Sequence, residues 1–268
     1  MSSREKPKSI TKHIHQHQHP HEPLLSSPKP HVNSIIIRAE PSSQHAPHAI
    51  KCKGFIFAFQ GYEHLPNPYW LQTVVRWLSF SDIIHVAILP VTECILSGSI
   101  VNDTFYATSV EHITAEQHAC TAYIGMGCIE QDANMIRDES YRLFFVPVLQ
   151  KKLYKEGLKF IKGLIGADYN KSGLLLAGLP RILNQAHFKF PSVLSQETEN
   201  MFPNKQHPAV FCSQMGLQLC YKCGILKDQN IDPVGCSPKS LLERLQNERV
   251  AIEASQNYMI IEEKHRFQ

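Results

Sequence analysis

The segment Ala209-Val-Phe-Cys-Ser-Gln-Met-Gly-Leu-Gln-Leu delivers an apolar stretch to Cys212 and then continues with Met215, Leu219 and Cys223 in helical register. A cysteine in the first turn of a helix stands at the positive end of the dipole, among N–H groups that have no intrahelical partner. Both features favour the thiolate. The same N–H groups can hold a developing oxyanion. Such a thiol is a nucleophile that needs a base. Taken alone, a buried cysteine at a helix start is more often an inert structural residue. His85 changes that balance. It interrupts the strand-like run Ile83-Ile-His-Val-Ala-Ile-Leu, and a polar imidazole inside a central strand needs a partner. A single such histidine is most often bonded to a backbone carbonyl. Cys212 and His85 together, a helix-start cysteine and a mid-sheet histidine, have the pattern of papain-like catalysis. They are expected to lie within roughly 4 Å of each other, with His85 lowering the pKa of Cys212.

The elements that must position this pair follow from periodicity and punctuation. Gly54–Phe59 and Ile83–Leu89 read as strands, the second apolar on both faces and therefore central. Thr104–Thr108, Ala119–Ile124 and Tyr141–Val148 read as further strands. Tyr69–Leu78 carries Trp70, Val74, Trp77 and Leu78 at helical spacing, with both tryptophans assigned to the core. Leu153–Leu164 is a periodic helix stopped by Gly166, and Leu174–Leu183 is helical despite Pro180. Residues 185–208 form a polar loop. Cys212–Cys223 is a helix capped by Gly224, and Ser237-Pro238 opens the last helix with an N-cap and a first-turn proline. Strands come first and helices later, which indicates α+β with an antiparallel sheet packed against helices.

Four segments in this order resemble the permuted branch of the NlpC/P60 superfamily of papain-like cysteine hydrolases. That branch includes acyltransferase relatives and proteins of poxviruses. Ser81-Asp-Ile-Ile-His-Val-Ala-Ile is similar to the family's histidine strand, and Leu164-Ile-Gly-Ala-Asp-Tyr-Asn to its segment after a helix. Phe211-Cys-Ser-Gln resembles its cysteine motif, and Asp232-Pro with Cys236-Ser-Pro-Lys-Ser-Leu its closing motif. The resemblance covers about residues 54–245 and implies a circularly permuted papain-like fold, with the histidine strand before the cysteine helix. It implies a thiol hydrolase or acyltransferase acting on a peptide, amide or lipid ester, with Asp168 and Tyr169 lining the cleft. The chain departs from the family at two places. Gln214 stands where the family has an acidic residue, and Tyr106 falls where a carboxylate is expected as third catalytic group. Thr108, Glu111 and Glu93 are the alternatives for that group. The departures open a second reading, a catalytically inactive binding or structural module on the same fold, of the kind found in large DNA viruses.

Composition bounds the rest. Residues 1–48 hold eight of the fifteen histidines with much proline and serine, and are expected to form a disordered tail ahead of a domain over 49–268. Within that tail Ser34–Arg38 is the only strand-like stretch, and the alternating histidines from His13 to His21 are a candidate metal-binding run, weighed below a solvated tail. A net charge of +3 without a Lys/Arg block argues against nucleic acid. No stretch of about 18 apolar residues predicts a membrane span. No apolar signal segment opens the chain, so a cytoplasmic or virion-associated setting is expected. There, the eight cysteines are expected to be reduced. The single Cys220-x-x-Cys223 lies inside a helix without a second pair at zinc spacing. No phosphate loop is present, and no cofactor is expected.

Overall fold

A computed structural model describes residues 35–38, 49–62, 73, 76, 81–101, 104–138, 140–170, 209–226, 233 and 236–262. Its strands are β1 (Ile35–Arg38), β2 (Ala49–Gly61), β3 (Ile83–Val101), β4 (Thr104–Ala115), β5 (His118–Tyr123), β6 (Gly127–Asp132), β7 (Tyr141–Val148), β8 (Ile252–Ala254) and β9 (Met259–Ile261). The helices are α1 (Lys151–Gly163), α2 (Cys212–Lys222) and α3 (Pro238–Asn247). The chain is mixed, one largely antiparallel sheet with few helices. Sheet order is β1-β4-β3-β2-β7-β8, with β5 joining β3 to β6, and β9 added in parallel to β4.

β3 organises the sheet. Its nineteen residues exceed any single partner on one side. The first half lies beside β5 through Ile88 and Cys120, and the second half pairs with β4 from Val91 to Val101. β2 runs along the other side of β3 from Ile83 to Ser97. Both faces of this central pair are apolar and both are covered. Phe55, Phe57, Phe59, Val86 and Ile88 face α1, α2 and α3 in one core, with Met215, Leu219, Leu241 and Leu245. Ile56, Ala58, Ala87 and Leu89 face a second core with Phe105, Ile113, Phe145 and Met259. Two-sided burial explains why the sequence of β3 lacks polar alternation at its centre.

The helix ends are local chemistry. Ser237 accepts from the Ser240 N–H at 3.2 Å, with Pro238 in the first turn of α3. Gly224, at φ +61°, closes α2 in the left-handed conformation. α1 begins at Lys151, and Gly166 follows it at φ +86°.

Several elements differ from the sequence reading. β3 and β4 run well past Leu89 and Thr108 and form one long hairpin, because the polar residues of that hairpin sit on a strand surface rather than in a loop. β6, β8 and β9 are additional short strands. β1 pairs with β4, from Ile35 opposite Ala107 to Arg38 opposite Thr104, although it lies in the segment read as a tail. Most of Tyr69–Leu78, all of Leu174–Leu183, residues 185–208 and the histidine run lie outside the described residues.

Candidate active site

Cys212 opens α2, and the sequence ahead of it explains how. Tyr169 forms a parallel bridge with Val210, flanked by Asn170 N–H to Val210 O at 3.1 Å and Val210 N–H to Asp168 O at 3.0 Å. This main-chain clamp holds Val210 and Phe211 extended up to the first helical residue. Gln214 then turns back. Its Oε1 accepts from the Phe211 N–H at 3.4 Å and from Asn170 Nδ2 at 3.4 Å. At this third helical position an amide does the capping work that a carboxylate otherwise does. Ser213 ties the helix start to the segment before α3, donating to Cys236 O at 2.7 Å. The segments around residues 164–170, 210–214 and 236–241 thus converge on Cys212.

His85 stands at the start of β3, opposite Gln60 of β2 and next to a register shift between Gln60 and Gly61. Its Nε2 is 2.7 Å from Thr121 Oγ1 on β5. Its ring is stacked on that of Tyr123 at 4.5 Å between centroids and 13° between planes. Tyr123 in turn donates to Gln131 Oε1 at 3.0 Å. Thr121 and Tyr123 are two residues apart and so share one side of β5. One ring face and one ring nitrogen of His85 are therefore set by neutral groups.

The thiol meets β3 through the main chain. The amides of Val86, Ser213 and Cys212 itself reach the Cys212 sulfur, and each lowers its pKa. Val86 follows His85 directly, so the thiol and the histidine are neighbours along β3. The charge a Cys212 thiolate would carry is also felt at Tyr123, whose hydroxyl is pushed up by burial first. Tyr169 responds in the same way. No hydrogen bond joins the Cys212 thiol to the His85 ring. Alternation explains this: Val86 and Ile88 point toward the helices, whereas His85, Ala87 and Leu89 leave the strand on the other side.

Burial decides the charge states. It pushes the Cys212 thiol up to about 11, against the pull of its three amides. It pushes His85 down to about 4. Desolvation disfavours the charged form of both groups, and neither has an ionised partner to compensate. The resting pair is a neutral thiol beside a neutral imidazole. The expected lowering of the Cys212 pKa by the helix start and by His85 is not found, because desolvation outweighs the pull of three amides and the Ser213 hydroxyl.

Tyr106 does not stand at His85. It is opposite Ser99 of β3 and Ile36 of β1, fourteen positions along β3 from the histidine. At the rise of a strand this is on the order of 40 Å. The alternatives lie in the same outer hairpin: Glu111 bonds Ser97, Thr108 donates to Ser97 O at 3.4 Å, and Glu93 pairs with Lys51. β5 takes the place beside His85 because β4 ends at Ala115 and the chain folds back at His118. The partner that sequence reasoning missed is Thr121. Its signal was present, as the one hydroxyl between Ala119-Cys-Thr-Ala, at a spacing of two from Tyr123. Among the described residues no group of three or more His, Cys, Asp or Glu side chains is placed to hold a metal, and no helix is long and apolar enough to cross a membrane. Comparison of the chain with protein-family models, with curated proteins and with solved structures finds no match.

Proposed function

We propose that the chain is a thiol hydrolase or acyltransferase on a circularly permuted papain-like fold, with Cys212 as nucleophile, His85 as base and Thr121 as the group that orients the base. What supports this reading is a helix-start thiol buried in one cluster with Val86 of β3, the residue next to a histidine whose Nε2 is already engaged. In the tautomer in which Nε2–H donates to Thr121 Oγ1, Nδ1 is the nitrogen that takes the proton. Because His85 leaves β3 on the side away from the helices, this reading requires its ring to turn past the start of β3 toward α2; the thiol proton then passes to Nδ1 as the sulfur bonds to an amide, ester or thioester carbonyl carbon. The oxyanion formed at the helix start is met by main-chain N–H groups. The imidazolium then returns its proton to the leaving amine, alcohol or thiol as that bond breaks. Water or an acceptor attacks the acyl-cysteine, with His85 again accepting the proton. In this scheme proton transfer accompanies attack, since a neutral pair is the resting state.

A second reading, a binding or structural module that has lost catalysis, is favoured by two observations. The thiol and the ring share no hydrogen bond, and burial opposes ionisation of both. Acylation by p-nitrophenyl acetate separates the two. The enzyme reading expects a p-nitrophenol burst with one acetyl group on Cys212. It also expects His85→Ala to slow that burst about 100-fold or more, with alkylation of Cys212 by iodoacetamide at pH 10 unchanged. Acetylation that is slow in the wild type and indifferent to His85→Ala leaves only the module.

A further inference from the structure

Three sulfur atoms meet one helical turn beyond Cys212. The Cys120 Sγ lies 3.4 Å from the Cys128 Sγ and 3.5 Å from the Met215 Sδ, and Cys128 lies 3.8 Å from that same Sδ. All three residues are buried in the core between the sheet and the helices. Cys120 also approaches the Ile161 carbonyl at 3.6 Å, where α1 ends. The triangle joins three separate elements, β5, β6 and α2. The mechanism above uses none of it.

Strand register rules out the simplest use of two adjacent thiols. Cys120 faces Glu130 and Cys128 faces Ala122, so the two cysteines are diagonal neighbours rather than a direct pair. Diagonal Cα atoms stand about 7–8 Å apart, beyond the span of about 6.8 Å that a disulfide tolerates. The sulfurs reach each other but cannot close to about 2.05 Å without moving the strands. Cys52 and Cys94, by contrast, are directly opposed on β2 and β3.

We propose that Cys120, Cys128 and Met215 form a binding site for a soft monovalent ion, Cu(I). Three donors around one ion with metal–sulfur bonds of about 2.3 Å are separated by about 4 Å in a trigonal arrangement. The observed spacing of 3.4, 3.5 and 3.8 Å needs an expansion of a few tenths of an ångström to reach it. A thioether with two thiols selects Cu(I), because zinc prefers four thiolate, imidazole or carboxylate donors. The ion enters without a change of oxidation state and displaces thiol protons to solvent. Once bound it pins α2 to the β5–β6 hairpin, one residue from Thr121.

The test uses the full chain, either expressed with added copper or titrated anaerobically with Cu(I) against bicinchoninate. The expected result is one Cu(I) per chain retained against the chelator, with a sulfur-only first shell in X-ray absorption. Met215→Leu, which conserves volume, and Cys128→Ser should each weaken retention at least tenfold, and Cys52→Ser should leave it unchanged. The proposal is overturned if neither loading route leaves Cu(I) on the chain, or if the shell is nitrogen-rich, as the histidines between His13 and His21 would make it. Undiminished retention by folded Met215→Leu, or a native Cys120–Cys128 disulfide by mass spectrometry, overturns it as well.

Discussion

At the residue scale the imidazole of His85 has exchanged water for one hydroxyl and one aromatic face. Thr121 satisfies Nε2 inside a buried site, so its removal leaves a polar atom unpaired. Thr121→Val is expected to cost about 1–3 kcal/mol in thermal or urea denaturation. It should also slow acylation of Cys212, because the ring loses its orientation. Tyr106→Phe should leave acylation unchanged, since Tyr106 sits opposite Ser99. The lowered pKa of His85 has a sign of its own. The unfolded chain takes up the proton near pH 6.5, the folded chain only near pH 4. The contribution of neutral His85 is complete above pH 6.5 and is lost as the pH falls to 4, about 3 kcal/mol in total. Urea midpoints measured across that window should fall more steeply for the wild type than for His85→Asn, and parallel curves would contradict the burial of an uncharged ring.

At the scale of elements, α2 is held by what packs against it. Gly157 of α1 faces Cys223, Leu219 and Phe55, and a Cβ there would lie inside contact distance of all three. Gly157→Ala should therefore destabilise the chain by about 1–3 kcal/mol through overpacking, although alanine is the better helix former by up to about 1 kcal/mol. A rise in thermal midpoint would show that α1 can move away from α2. The ends of α2 and α3 were legible because caps are local: Ser237 with Pro238, and Gly224 at φ +61°, act within a few residues of their helix. The β3–β4 hairpin was not legible over its outer half. The sequence reading ended one strand at Leu89 and began the next at Thr104, and cross-strand pairing makes strands of Ser97, Gly98 and Ser99 between them.

At the scale of the whole molecule, β1 tests where the folded unit begins. It supplies the outer partner of β4 between Thr104 and Ala107. Removing residues 1–40 should lower the thermal midpoint relative to removing residues 1–30, because it strips one partner from β4 and opens a sheet edge. Equal midpoints would place β1 outside the cooperative unit. Cys212 at the start of a helix, His85 within an apolar strand and the order of the longer strands before the helices were determined by the sequence itself, whereas β8 and β9 follow α3. Each rests on residue type and spacing within one element. The partner of His85 was decided by tertiary structure. β5 rather than β4 lies beside the first half of β3, which replaces Tyr106 with Thr121. The charge state of the pair was decided there too. A helix start and a neighbouring histidine favour thiolate locally, but the free energy of ionisation depends on how much water the whole fold removes. Around Cys212 and His85 the fold removes nearly all of it.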